Sequence, residues 1–191
     1  MKTKVITLMV LILFAAVNLA ALDLAALKGL SKESSTVDGV KWLMYKSKKT
    51  PTTNFKKISS TRDYDNSMFY LYINVKEEKE AFLHMYVQVE PPFGWIKFKK
   101  IIITTDNETF EREFNFATIN NKIGQGQQYL EFYDVEVMPH EIEMLEKITA
   151  AKEVTIKFQG DEKSQVLELR DKNKEAIKDI LDAWKKLNPE G

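Results

Sequence analysis

The chain has no cysteine, and its 191 residues include only two histidines, His84 and His140. The absence of cysteine excludes disulfide bonds, thiolate zinc sites, iron–sulfur clusters and a cysteine nucleophile. A two-histidine metal site would need both histidines. We therefore expect neither a cofactor nor a bound metal.

The chain also has no excess of charge of either sign. Its 28 Lys and Arg residues balance its 28 Asp and Glu residues. The hydrophobic fraction of 44% is nevertheless ordinary for a folded protein, and it argues against intrinsic disorder. A chain of this length is expected to form one domain.

The one long apolar run lies at the N-terminus. Two lysines precede the run at residues 5–17, and Ala20 and Ala21 offer cleavage points behind it. This layout is typical of a secretory signal peptide, which we place at residues 1–21. An uncleaved membrane anchor is the alternative, but the run is short for a span of ~20 residues.

Export narrows the expected location and partners. Removal of residues 1–21 leaves 26 basic and 28 acidic residues, a net charge of −2. An exported protein without disulfides fits the bacterial envelope, so we expect a periplasmic or extracellular location. Export and the acidic balance disfavour nucleic acid as a partner. The protein would meet the membrane only through an uncleaved signal.

Behind the expected signal peptide, the chain divides into a short N-terminal segment and a β-rich domain. Residues 22–39 predict a short amphipathic helix followed by a polar linker at 31–36, and residues 40–191 predict a single domain. Alternating apolar and polar residues predict strands at 42–45, 68–75, 81–90, 95–104, 108–116, 129–137, 154–159 and 166–170.

Two helices are expected near the C-terminus. Pro139 fits the first position of a short helix, and Asp171 can cap a final helix whose apolar stripe includes Trp184. The sequence thus predicts a mainly β fold, an antiparallel β-sandwich or open barrel of about eight strands with two C-terminal helices. An α+β fold is the alternative.

One hairpin can be predicted in register. If Val75 lies opposite Ala81, every inward pair is apolar, and the other face places Tyr72 against His84 and Tyr70 against Tyr86. The register of the next hairpin, around residues 106–107, stays open. A three-residue loop there would pair Ile102 with Phe110.

Motifs for catalysis or metal binding are incomplete. His140-Glu141 lacks the second histidine of a zinc protease. Asp63, Asp65 and Asn66 offer oxygen ligands for calcium, but the glycine and distant glutamate of an EF-hand loop are missing. A hydrolase that acts through two carboxylates remains an alternative, because sequence does not show which acids converge.

Two surfaces are candidate binding sites. The first is the sheet face with Tyr70, Tyr72, Tyr86, Phe82 and His84. It would stack on sugar rings or hold a peptide unless the final helix or a second sheet covers it. The second is the basic segment at residues 41–62, which contains no acidic residue. Its candidate ligand-binding lysines are Lys46, Lys48, Lys49, Lys56 and Lys57.

These observations favour an exported bacterial protein that acts as a non-catalytic binding or envelope-associated module. Its expected partner is an anionic envelope polymer, a glycan or another protein. A carboxylate-based hydrolase acting on an envelope polymer is one alternative. A structural assembly partner, which an exposed sheet edge would signal, is another.

Overall fold

The computed structural model describes residues 22–50, 55–56, 67–91, 94–114, 120–123 and 129–189. The expected signal peptide, Lys57 and the candidate calcium ligands lie outside these ranges.

The described residues form a mainly β fold with two antiparallel sheets arranged as a half-barrel or sandwich, as predicted. The first sheet has six strands: β1 Ser31–Val37, β2 Val40–Lys46, β4 Met68–Lys76, β5 Glu80–Val89, β8 Asn120–Ile123 and β9 Tyr129–Glu136. The second has five strands: β3 Phe55–Lys56, β6 Lys100–Thr104, β7 Thr109–Glu113, β10 Thr155–Gln159 and β11 Ser164–Leu169. Their orders are β1-β2-β4-β5-β9-β8 and β3-β11-β10-β6-β7.

The hydrophobic core lies between the two sheets and includes both helices near the C-terminus. Helix α1 spans Ile142–Ala150 after a 3₁₀ turn at Pro139–Glu141, and helix α2 spans Asp171–Leu187. Helix α2 packs on β4 and on α1 through its apolar stripe. Because a lone helix of this length is marginal in water, this packing stabilises it.

The polar linker predicted at residues 31–36 is wrong, because these residues belong to strand β1. Asp38 and Gly39 have φ values of 50° and 79°, which suit the tight two-residue turn of a β1–β2 hairpin. Both faces of β1 are largely exposed, so the strand shows no apolar alternation. The helix expected at residues 22–30 is shorter than predicted, a 3₁₀ helix at Leu24–Leu27.

The strand predicted at residues 95–104 begins only at Lys100. Before it, Lys97 has a positive φ of 53°, and the buried Glu131 carboxylate accepts hydrogen bonds from the backbone N–H groups of Ile96 and Phe98. Gly160 packs against this segment so closely that a β-carbon would lie 2.1 Å from the carbonyl oxygen of Ile96.

The second hairpin has a register one residue away from the three-residue loop considered above. Ile103 lies opposite Phe110, and Thr104 lies opposite Thr109, which leaves four residues in the loop. Asp106 in this loop accepts hydrogen bonds from the N–H groups of Lys152 and Glu153, so contacts beyond the hairpin help fix it.

Candidate functional site

The predicted register of the β4–β5 hairpin is confirmed. Val75 lies opposite Ala81, and the other face pairs Tyr70 with Tyr86 and Tyr72 with His84. The two pairs are stacked, with ring centroids 5.0 Å apart for the tyrosines and 4.9 Å apart for Tyr72 and His84. We call this side of the six-stranded sheet, which faces away from the core, the outer face.

The final helix does not cover the outer face, contrary to one reading of the sequence. Helix α2 packs on the opposite side of β4, where Phe69, Leu71 and Ile73 belong to the core. Trp184 packs against that core and is only partly buried. The second sheet closes the same core side, so the outer face is the side turned away from both.

Tyr72 is nevertheless sealed within the outer face, because only 3% of its surface is exposed. Its hydroxyl donates to the Asp134 carboxylate on β9, with oxygen distances of 2.7 and 2.8 Å. Burial, and then the bond to Asp134, raise the pKa of Tyr72. Tyr72 therefore supports the surface and offers no ring face to a ligand.

Tyr70 and Tyr86 are half-buried and extend the stack across the sheet. Tyr86 stacks on Phe132 at 5.8 Å between centroids, and the Lys46 ammonium lies 5.7 Å from the Tyr70 ring centre. Burial raises the pKa of Tyr86 to about 12 and raises the pKa of Tyr70. These rings mainly pack on one another.

The predicted lysines do not gather into one patch. Lys46 lies on the outer face near Glu33, whereas Lys49 binds Asp179 on helix α2 with a distance of 3.1 Å. Lys48 is exposed, and Lys56 belongs to β3 of the other sheet.

An open groove of about 510 Å³ lies beside the stacked tyrosines on the outer face. We call it the aromatic groove, because the half-buried rings of Trp42 and Phe82 lie in it with centroids 6.2 Å apart. Its other lining residues are Ser35, Val37, Met44, Asn74, His84 and Glu136.

The sequence interpretation missed most of this groove. The predicted aromatic face includes Phe82 and His84 of the groove, and Trp42 falls in a predicted strand. The polar linker predicted at residues 31–36, however, leaves out β1, which supplies Ser35 and Val37. The available signal was the alternation of Trp42 and Met44 with buried Leu43, which puts both on one face.

The aromatic groove combines flat apolar rings with planar polar side chains. Asn74, His84 and Glu136 supply amide, imidazole and carboxylate groups beside the rings. The His84 ring keeps 23% of its side-chain surface exposed, and its Nδ1 lies 3.4 Å from Asp134 Oδ1. Such a surface can stack on a ligand ring and hydrogen-bond to its edge.

Ser35 and His84 do not form a nucleophile and base pair in the groove. Both residues line it, but Ser35 is level with Glu80 across three strand spacings and His84 lies four residues further along β5, so they are at least about 14 Å apart, too far for a nucleophile and its base. Lys41 lowers the pKa of the Glu78 carboxyl, and backbone N–H donors lower that of Asp106. These two carboxyls lie outside the groove, and their lowered pKa values are the opposite of what a general acid needs.

The part of the chain that the structure describes contains no cluster of three or more acidic or histidine residues able to hold a metal ion. Within the same residues, no helix combines the length and the apolar character needed to cross a membrane. Comparisons with protein-family models, with curated proteins and with solved structures find no match to this chain.

Proposed function

We propose that the protein is an exported bacterial, non-catalytic module that binds a neutral glycan in the aromatic groove. The observation that carries this proposal is the pair of half-buried rings, Trp42 and Phe82, set in an open groove beside Asn74, His84 and Glu136.

A sugar ring matches this combination of groups. A pyranose has an apolar C–H face, which packs on an aromatic ring, and a rim of hydroxyls that both donate and accept hydrogen bonds. The amide of Asn74, the imidazole of His84 and the carboxylate of Glu136 supply donors and acceptors for such a rim. An open groove also admits a chain that continues beyond the bound unit.

A neutral glycan fits the charges better than an anionic polymer. Among the described residues, the groove is lined by the carboxylate of Glu136 and by no lysine or arginine. On the outer face, Lys46 lies 3.7 Å from Glu33, and Lys76, which is opposite Trp42, lies 3.8 Å from Glu80. An anionic chain would therefore meet a carboxylate in the groove and partly neutralised lysines around it.

Export would place the protein among the glycans of the envelope. The basic start, short apolar run and small residues of the N-terminus support export. The absence of cysteine supports a bacterial host.

The test is a titration of the purified protein with a panel of neutral oligosaccharides and one anionic polysaccharide. Isothermal titration calorimetry reports binding, because a fluorescence signal from Trp42 would be lost in the variant that replaces it. Replacing Trp42 with alanine should weaken binding by about 1–3 kcal/mol, by analogy with stacking of bases on aromatic side chains.

The matched control is Trp95→Ala. Trp95 is also partly exposed, but it packs on Tyr129 away from the groove, so its loss should leave binding unchanged. Affinity should also change little with salt. Binding that ignores Trp42→Ala, or that occurs only with the anionic polymer and falls steeply with salt, would contradict the proposal.

A further inference from the structure

Strand β1 is an unpaired edge of the six-stranded sheet. It pairs with β2 on one side, and among the described residues no strand pairs with it on the other. Residues 32–37 are all exposed. An edge of this kind is a template for another strand.

The register shows which backbone groups point outward. The carbonyl of Lys41 accepts a hydrogen bond from the N–H of Glu77, so Lys41 directs its backbone groups toward β4. Lys41 lies opposite Thr36. Since Lys41 directs its backbone groups away from β1, the pair is not hydrogen-bonded, and the backbone groups of Thr36 point away from β2. By alternation, Thr36, Ser34 and Lys32 present their N–H and C=O groups along the open edge.

The two charged side chains of β1 do not protect this edge from pairing with another strand. The Lys32 ammonium lies 5.8 Å from the centre of the Tyr45 ring, and Glu33 lies 3.7 Å from Lys46. Both side chains are thus turned back toward β2. The remaining residues of the strand are serines, a threonine and a valine.

The other described edges differ from β1. Strands β3 and β8 have two and four residues, and short edges offer little to pair with. Strand β7 carries three consecutive charges at residues 111–113, which is a common protection against pairing. Strand β1 combines length with open backbone groups, and its two charged side chains are turned toward β2.

We propose that β1 pairs antiparallel with β1 of a second copy of this chain, around a two-fold axis at Ser34. This register puts Ser34 opposite its counterpart and Lys32 opposite Thr36, and it uses all seven residues of the strand. Centres at Lys32 or Glu33 would oppose like charges, which destabilises cross-strand pairs. A centre at Ser35 shortens the overlap.

The pairing would join two sheets into one continuous sheet and put both aromatic grooves on the same side. Strand spacing then places the two Trp42 residues roughly 15 Å apart, so one glycan chain can contact both. This consequence rests on the proposed function, whereas the pairing itself does not.

The absence of cysteine gives a direct test. In the proposed register the two Ser34 α-carbons lie about 5.5 Å apart, within the range of a disulfide. Ser34→Cys should therefore form a covalent dimer under mild oxidation. The control Thr36→Cys should not, because its two copies would lie roughly 13 Å apart.

Sedimentation equilibrium of the unmodified protein, without glycan, should show a dimer at millimolar concentration. Ser34→Pro, which removes one outward N–H and leaves the bonds to β2, should shift the protein to monomer, and Ser34→Ala should not. Thermal melts of both variants check folding. A monomer at every concentration, or equal cross-linking of both cysteine variants, would overturn the proposal.

Discussion

The Tyr72 hydroxyl reaches across strand β5 to the carboxylate of Asp134, with oxygen distances of 2.7 and 2.8 Å. The phenol ring lies flat on His84, whose Nδ1 is 3.4 Å from the same carboxylate. One hydrogen bond thus links three strands of the outer face. It also holds His84 where it lines the aromatic groove.

Replacing Tyr72 with phenylalanine should destabilise the protein by about 1.5–3 kcal/mol, the usual value for a hydrogen bond to a charged group. Because Asp134 is partly exposed and can turn to water, we expect the lower end of this range. Urea unfolding measures the loss. Tyr86→Phe is the control, since that hydroxyl donates to the neutral Gln88 amide and should cost less.

Stability should fall as pH rises above about 10, the ordinary pKa of tyrosine. Burial raises the pKa of Tyr70, Tyr72 and Tyr86, so these phenols stay protonated when the unfolded chain has begun to lose its protons. The folded state then binds more protons, and the free energy of unfolding decreases with pH.

Urea unfolding at several pH values between about 9 and 11 tests this dependence. The Tyr86→Phe variant isolates one phenol, whose folded pKa is about 12. The variant should lose less stability with pH than the wild type. Identical slopes would show that the Tyr86 hydroxyl ionises at the same pH in the folded and unfolded states.

Helix α2 should depend more on Ile177 than on Trp184. Ile177 is fully buried, and its replacement by alanine should cost about 2–5 kcal/mol. A fully buried tryptophan replaced by alanine costs about 3–5 kcal/mol of unfolding free energy. Trp184 is only partly buried, so Trp184→Ala should cost less. Denaturant melts of the two variants rank them, and the reverse order would place the helix differently on the core.

Much of the fold could be predicted because its strands have one buried face. The β4–β5 hairpin is the clearest case, since any slip by one residue would expose Phe69, Leu71 and Ile73. The apolar stripe of helix α2 can be predicted for the same reason. Strand β1 cannot be predicted in this way, because an edge strand with no buried face has no apolar pattern.

The candidate site can be predicted only in part from the sequence. The three tyrosines were placed correctly on one face, since this follows from local alternation within a hairpin. The groove depends on β1, β2, β4 and β5 lying side by side, which no local pattern encodes. Likewise, the burial of Glu131 depends on N–H groups more than 30 residues away in the chain.

The mature protein should begin at Ala21 or Leu22. Cleavage would follow Ala20 or Ala21, the small residues behind the short apolar run, as a signal peptidase requires. Intact-mass measurement of the protein from its native host, after separation of soluble and membrane fractions, determines the N-terminus. A full-length mass in the membrane fraction would instead support an uncleaved anchor.

Glu131 should be the most sensitive carboxylate of the described fold. Its two oxygens accept from the N–H groups of Ile96 and Phe98, at 2.5 and 3.0 Å, and its side chain is fully buried. In Glu131→Gln the amide nitrogen would face one N–H donor, which leaves a buried donor unsatisfied and should cost about 3 kcal/mol.

The matched control is Glu153→Gln, an exposed position where the same change should stay within about 0.5 kcal/mol. Amide hydrogen exchange locates the effect, because the N–H groups of Ile96 and Phe98 should exchange faster in Glu131→Gln than in the wild type. Unchanged protection of these amides, with a loss below about 1 kcal/mol, would mean that the close approach of Gly160 holds the segment without the carboxylate.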